Sequence, residues 1–261
     1  MKLSIIIPAH NEEGCIESTI NGIHSLLTKE KVLHEILVIN DNSIDKTQKI
    51  LERLSRNDRS IRFINNAPPN GFGFAVRKGL ENFDGDAVAI VMADGSDLPE
   101  DILNYYHQMQ QGYECVFGTR WSMGGETVEY PIHKYMLNRM ANWLIMVLFG
   151  LRYNDVTNAF KMYRANVIQG LKPFLSHHFN LTVEVPLKAI IRGYSYCVIP
   201  NTWINRKTGV SKLKIREMGS RYLFIIIYCF IEKWLSRGDY IRKSSCQKEI
   251  AINATNSSDS I

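Results

Sequence analysis

The stretch "AIVMADGSDLPED" (Ala89–Asp101) is apolar for its first five residues and then sets Asp94, Asp97 and Asp101 around Gly95 and Pro99. An apolar run that stops at a glycine turn reads as a buried strand, and Pro99 opens the helix that follows. Carboxylates at the tip of a buried strand cost stability unless something positive neutralises them. The simplest such partner is a hard divalent cation, Mg²⁺ or Mn²⁺, held by one or two carboxylates together with substrate phosphates. The competing reading makes Asp97 the N-cap of the helix and leaves Asp94 facing solvent.

The same arrangement repeats along the chain. Short apolar runs at 3–7, 35–40, 61–65, 87–92 and 114–118 alternate with segments of helical length at 13–28, 45–56, 71–83 and 99–111. That alternation predicts an α/β fold with a mostly parallel central sheet flanked by helices. The runs are continuously apolar, as strands covered on both faces are. Polar residues gather just after the strand ends: Pro8-Ala9-His10-Asn11-Glu12, then Asn40-Asp41-Asn42-Ser43, then Asp94 and Asp97, then Gly118-Thr119-Arg120. Ligands of open α/β sheets bind outside the carboxyl ends of the strands, so these clusters are expected to converge on one cleft.

Composition sets the outer bounds. The 261 residues are 45% hydrophobic and 22% charged, enough to bury a core without disulfides or structural metals. The five cysteines are dispersed and form no C-x-x-C pair, which argues for free thiols rather than a zinc ribbon or redox motif. No apolar run reaches the roughly 18 residues of a membrane span, and the start lacks the h-region of a signal peptide. The expected location is the cytoplasm, peripheral on the inner face of the membrane. A net charge of +5, weighted toward the basic residues from Arg206 to Lys243, points to anionic partners. Nucleic acid is not among the expected ones, since no zinc motif, aromatic RNA-binding motif or recognition helix is present.

Other motifs carry two readings each. Asp41, Asn42, Ser43 and Asp45 suit a helix cap, or a carboxylate that accepts hydrogen bonds from a base or ribose. The glycine loop Asn70-Gly71-Phe72-Gly73 lacks the third glycine of a dinucleotide fingerprint but leads into a helix whose Arg77 and Lys78 are candidates to approach a nucleotide. Asp155–Lys161 reads as a polar loop. Arg206, Ser211 and Lys212, with Gly209 and Lys214, make either a phosphate cradle or a solvated basic loop. The segment Tyr222–Leu235 fits an amphipathic helix on a membrane surface or a core helix. His24, His34, His107, His133, His177 and His178 show no ligand spacing and are expected to be surface or core residues; only His10 lies in a strand-end motif.

Taken in order, "SIIIPAHNEE", "ILVINDNSIDKT", "GFGFAVRKGL", "VMADGSDLPED", "FGTRWSMGG", "DVTNAFKMYR" and "GVSKLK" resemble the family 2 glycosyltransferases, and within them the dolichyl-phosphate mannose synthase and polyprenyl-phosphate sugar synthase group. The resemblance spans about residues 2–214. It implies a Rossmann-like glycosyltransferase A-type fold that binds a nucleotide-diphosphate sugar and inverts the anomeric carbon. It implies that Pro8, Ala9, His10 and Glu12 lie along the nucleotide and that Ile39 and Asp41 contact the base. Arg120 matches the family's arginine after the fifth strand, and Arg206, Ser211 and Lys212 match its basic loop for donor and acceptor phosphates. The family's metal motif is D-x-D followed by Gln. Here the spacing is D-x-x-D, with Asp94 and Asp97 the expected metal ligands, Asp97 standing at the Gln place, and Ala93 and Gly95 where the two Asp residues would stand.

The expected domains are a catalytic unit at 1–221, an amphipathic helical segment at 222–243 and a polar tail at 244–261 whose composition predicts disorder. The expected reaction moves a sugar from GDP-mannose or a UDP-sugar to a polyprenyl or dolichyl phosphate. Asp94, Asp97, Arg120, Arg206 and Lys212 are its expected catalytic set. A phosphate acceptor is already anionic and needs little or no general base. A same-fold enzyme acting on a hydroxyl of a glycan or lipopolysaccharide intermediate would need one, for which Asp155 and Glu184 are the candidates. The reading outside enzymology is a non-catalytic nucleotide-sugar-binding membrane scaffold.

Overall fold

The computed structural model describes residues 1–206 and 215–242, with side chains omitted for 215–218. Ser211, Lys212 and the tail 244–261 lie outside the described residues. Strands β1 (Leu3–Ala9), β2 (His34–Asn40), β3 (Ile61–Asn65), β4 (Ala87–Ile90) and β5 (Cys115–Thr119) stand where the apolar runs predict them. Between them come α1 (Ile16–Lys29), α2 (Thr47–Asn57), α3 (Phe72–Asn82) and α4 (Pro99–Gln110). Alternation of side chains across each strand feeds two separate cores. Ile6, Leu37, Ile39 and Val88 face one. Ile5, Ile7, Val38 and Ala89 face the other. Continuous apolar sequence is the consequence.

Beyond β5 the chain forms β6 (Glu126–Val128), α5 (Ile132–Phe149), β7 (Lys161–Arg164), α6 (Ala165–Leu171), α7 (Leu181–Ile191), β8 (Tyr196–Pro200), β9 (Thr202–Ile204) and α8 (Ile215–Leu235). The seven-stranded sheet has the order β3-β2-β1-β4-β7-β5-β8. Every neighbouring pair is parallel except those made by β7, which runs antiparallel to both β4 and β5. The sheet is therefore mostly parallel. Strand β7 is the element that the sequence hides, because "KMYR" has no β-branched residue and follows a polar run. The stretch 195–206 forms two strands: β8 closes the main sheet, while β9 pairs with β6 in a small second sheet.

Strand order reverses beside β1, which has β2 on one side and β4 on the other. A crevice at the carboxyl ends of β1 and β4 is the expected ligand position in such a sheet. The motif Pro8–Glu12 ends β1 and runs past it, and Asp94–Asp97 follows β4.

Helix α8 begins seven residues before the expected boundary at 222 and packs on α7. Ile225, Ile226 and Cys229 lie in the same core as α5 and α7. A buried ion pair joins Arg192 Nε to Glu232 Oε1 at 2.7 Å. The other faces of α5 and α8 remain apolar and exposed, with Met136, Met140 and Trp143 on α5 and Ile227, Ile231 and Trp234 on α8. Among the described residues no helix is long and apolar enough to cross a membrane.

Candidate active site

The end of β1 and the end of β2 are stitched together first. Asp41 N–H donates to Ala9 O at 2.7 Å, and His10 Nδ1 lies 2.7 Å from Asp41 O. Asn11 N–H donates to Ser43 Oγ and Glu12 N–H to Thr47 Oγ1. Asp45 completes the seam: Oδ1 accepts from Thr47 N–H and Oδ2 from Glu13 N–H. Burial opposes its charge, but the hydrogen bonds from Thr47 and Glu13 win and hold its carboxyl below the usual range. Ser43 and Asp45 thus act as ties between two loops, which is the capping reading extended across strands.

Asp41 is buried, and its carboxylate has three donors. Oδ1 accepts from Asn66 Nδ2 at 2.8 Å and from Asn70 Nδ2 at 2.9 Å, and Oδ2 accepts from Gly71 N–H at 2.7 Å. The glycine loop thereby closes over the second strand-end motif. Gly71 has φ +139°, and a Cβ on Gly73 would stand 2.3 Å from the His177 carbonyl carbon. These glycines serve a turn and a close backbone approach. Sequence reasoning missed Asn66 and Asn70 as partners of Asp41. Ile39 is fully buried in the core beneath it.

At the tip of β4 the turn is closed locally. Met92 N–H donates to Asp97 Oδ2 at 3.1 Å and Ser96 N–H to Asp94 Oδ1 at 3.2 Å. Gly95 takes φ +70° to make the turn. Asp97 is 4% exposed. Burial and then the charge of Asp94 raise its carboxyl to about 7, against opposing help from Met92 N–H. Asp97 therefore does not cap α4; Leu98 is the residue at that position.

Arg206 joins the two motifs. Strand β9 runs beside the β4 turn, with Ile204 N–H on Ser96 O at 3.0 Å, and delivers Arg206 into the crevice. Its Nε and Nη2 both donate to Asp94 Oδ2, at 3.0 and 2.8 Å, and Nη2 also stands 3.3 Å from Glu12 Oε1. Glu12, Asp94 and Arg206, from three distant parts of the chain, thus share one cluster at the strand order reversal. A cation is already wanted there, and the guanidinium supplies it.

Arg120 sits one layer deeper. Its backbone N–H and Nε donate to Asp155 Oδ2 at 3.0 and 2.8 Å, and Nη2 donates to Asp155 Oδ1 at 2.8 Å. Arg120 is 8% exposed and Asp155 is fully buried. Its guanidinium also lies 5.4 Å from the Trp121 ring and 5.6 Å from that of Tyr130. The run 155–161, read from sequence as a polar loop, is a buried polar strut. Asn158 Nδ2 donates to Gly118 O and Asn201 Oδ1. Lys161 Nζ is surrounded by the carbonyls of Val156, Asn158 and Thr182. The clue was the position of Asp155, an acid between an apolar helix and a buried strand.

Two further expectations meet the geometry. Neither Asp155 nor Glu184 is placed as an open base: Asp155 is clamped by Arg120, and fully buried Glu184 accepts from Leu175 N–H, Ser176 N–H and Lys188 Nζ. Arg77 and Lys78 lie on α3, about 7.5 and 9 Å along the axis from its cleft-side start at a 1.5 Å rise per residue. Arg77 Nη1 is buried without a partner. Pro8, Ala9 and His10 sit at the tip of β1 beside the crevice.

Among the described residues no three His, Cys, Asp or Glu side chains are grouped to hold a metal. The donor chemistry at Asp94 nevertheless fits a hard cation: its side chain is 10% exposed, and a guanidinium stands on the oxygen that a metal would take. Two carboxylates plus diphosphate oxygens are an ordinary set for Mg²⁺ or Mn²⁺.

Solved structures of glucosyl-3-phosphoglycerate synthase from Mycobacterium tuberculosis share this architecture. One in complex with Mn²⁺, uridine diphosphate and glucosyl-3-phosphoglycerate superposes with a TM-score of 0.66 at 16% identity, over 93% of this chain and 81% of that one. At that identity the likeness concerns the fold, the glycosyltransferase A-type. In sequence, the chain is 28% identical over 225 residues to polyprenol monophosphomannose synthase of Mycolicibacterium smegmatis, covering 82% of each. It is 36% identical over 127 residues to a glycosyltransferase of Synechocystis sp., covering 49% of this chain and 40% of that one. The glycosyl transferase family 2 model matches residues 4–181, from the first strand through the start of α7. The chain therefore belongs to glycosyl transferase family 2.

Proposed function

We propose that the chain transfers a sugar from a nucleotide-diphosphate sugar, GDP-mannose or a UDP-sugar, to a polyprenyl phosphate at a membrane surface. The observation that carries this reading is the contact of Arg206 with Asp94 and Glu12, which gathers acids and a cation beside the strand order reversal. The relative named polyprenol monophosphomannose synthase supports the acceptor class. The Mn²⁺ and uridine diphosphate of the solved neighbour support a divalent ion and a nucleotide.

In this reading the cradle of Asp41, Asn66, Asn70 and Gly71 holds the nucleoside end, and Pro8, Ala9 and His10 line the path to the diphosphate. Asp94, with Asp97 beneath it, would hold Mg²⁺ or Mn²⁺, which supplies charge neutralisation to the departing diphosphate when bound. Arg206 exchanges its carboxylate partners for phosphate oxygens, which accept the same bidentate fork. Arg120, held rigid by Asp155, and Ser211 and Lys212 contribute to the acceptor phosphate. The acceptor oxygen is anionic at neutral pH, so positioning and charge neutralisation carry most of the catalysis. No proton need be removed, in keeping with Asp155 and Glu184 both being engaged elsewhere.

The exposed faces of α5 and α8 support a membrane-surface acceptor. The sequence of α5 contains no Asp or Glu, and of the two acids on α8, Glu217 stands in its first turn and Glu232 is turned into the ion pair with Arg192. Apolar and basic character together suit an anionic bilayer surface. The donor half of the proposal is tested by calorimetric titration with GDP-mannose and UDP-glucose in the presence of Mn²⁺. One donor is expected to bind, and Asp94→Asn to lose the Mn²⁺ dependence of that binding. Equal Mn²⁺ dependence in the folded variant would refute the role of Asp94.

A further inference from the structure

Far from the crevice, at the amino-terminal ends of the strands, His24 on α1 and His34 at the start of β2 face each other. His24 Nδ1 and His34 Nε2 are 3.1 Å apart. The outer nitrogen of each ring is committed. His34 Nδ1 lies 2.8 Å from the carbonyl of Val32, and His24 Nε2 lies 3.2 Å from Asp58 Oδ2. A carbonyl can only accept, so His34 Nδ1 carries its hydrogen, and the carboxylate beside His24 favours a hydrogen on Nε2 there. In neutral rings the two inner nitrogens then bring their lone pairs together across 3.1 Å. That contact is repulsive unless a proton or a metal cation is shared between them, and it is the metal that the further ligands around the pair favour.

Ser60 adds an oxygen to the gap. Its Oγ is 3.4 Å from His24 Nδ1 and donates its hydrogen to Asp58 Oδ1 at 2.6 Å, leaving lone pairs on the side of the histidines. We propose that His24 Nδ1 and His34 Nε2 bind one transition-metal dication of the imidazole-preferring class, Zn²⁺, Cu²⁺ or Ni²⁺. With metal–nitrogen bonds of about 2.05 Å, nitrogens 3.1 Å apart subtend roughly 98° at a shared ion. That angle lies between the right angle of square or octahedral coordination and the wider tetrahedral one. The outer partners match the orienting sphere of metal-bound imidazoles, one ring held by a carboxylate and the other by a backbone carbonyl.

Two imidazoles and a hydroxyl are fewer ligands than a closed structural site takes, which agrees with the lack of a three-ligand group among the described residues. The ion therefore keeps water, and the 26% exposure of the His24 side chain gives water access. Such a site is exchangeable, ties α1 to the starts of β2 and β3, and is independent of the sugar-transfer reading. Its imidazole nitrogen donors also separate it from the hard oxygen site at Asp94.

The test uses the 261-residue chain, tag-free, stripped with chelator and titrated with Cu²⁺ alone, followed by the nitrogen hyperfine pattern in electron paramagnetic resonance. Calorimetry with Zn²⁺ runs in parallel. One equivalent with two-nitrogen coordination is expected, unchanged in Asp94→Asn and at least tenfold weaker in His24→Gln and His34→Gln. Asp58→Asn should weaken it about tenfold or more through the lost orienting contact. Should a histidine variant fail to fold, substoichiometric Cu²⁺ on the wild type must broaden the His24 and His34 ring resonances before those of the other histidines. No binding at millimolar Zn²⁺, affinity unchanged in both histidine variants, or broadening that starts elsewhere would each overturn the proposal.

Discussion

Replacing Asp155 by Asn keeps the shape of the side chain and removes the charge that Arg120 was built around. Arg120 remains 8% exposed, held by its own backbone and by the rings of Trp121 and Tyr130, so its guanidinium cannot turn to water without moving β5. Breaking a buried ion pair by removing one partner costs about 3–5 kcal/mol, mostly the penalty of the charge left behind. For a chain of this size each kcal/mol moves Tm by about 2–4 °C, which gives a drop of roughly 6–20 °C. Differential scanning calorimetry on wild type and variant reads this directly. The double variant Arg120→Met, Asp155→Leu separates strut from catalyst, because an apolar pair of similar volume costs little in a buried site. It should recover most of the lost Tm while remaining inactive in sugar transfer. An Asp155→Asn protein that melts with the wild type would refute the buried-strut reasoning, and an active double variant would remove Arg120 from the acceptor site.

The seam at Asp45 predicts a pH dependence. Its folded carboxyl lies below the unfolded value of 3.8, so its contribution is complete above that pH and is lost as pH falls through the folded value. Asp45→Ala should cost about 1 kcal/mol at neutral pH, as loss of a cap does; urea midpoints of the two proteins should converge below that window, and parallel curves would contradict the assignment. Gly73→Ala places a methyl 2.3 Å from the His177 carbonyl carbon, so a destabilisation of about 1–3 kcal/mol is expected in urea unfolding; a neutral result would mean that the loop at 177–178 yields freely. Ile227→Glu with Trp234→Glu should weaken sedimentation with anionic liposomes at least tenfold, since both side chains are exposed on α8. Undiminished binding by the folded variant would count against a membrane face on that helix.

The sequence made the first half of the fold legible because the strands β1, β2, β4 and β5 are covered on both faces. Burial on two sides writes an unbroken apolar run, and the turn residues that follow mark its end. Strand β7 escaped because "KMYR" earns its place through pairing with β4 and β5, both non-local, and through the buried Lys161 rather than through β propensity. The acids at the strand ends were legible as a set, while their partners were not. Nothing local in Asn66 or Asn70 announces a hydrogen bond to Asp41. Arg206 reaches Asp94 only because β9 leaves the main sheet and runs beside the β4 turn. The histidines show the same limit in another place: His24 and His34 sit ten residues apart on a helix and a strand, a spacing that reveals nothing until the sheet brings them together.

The central claim is that the crevice at β1 and β4 moves a sugar from a nucleotide diphosphate to a lipid phosphate. The most direct measurement incubates the purified protein with Mn²⁺, polyprenyl phosphate and, in turn, radiolabelled GDP-mannose and a set of UDP-sugars, and then extracts the lipid phase. The account predicts label in an acid-labile lipid-linked sugar with one donor, with the label lost in both Asp94→Asn and Arg206→Ala. Label that stays in the aqueous phase with every donor, or that appears only on a hydroxyl-bearing glycan acceptor supplied in its place, would contradict it.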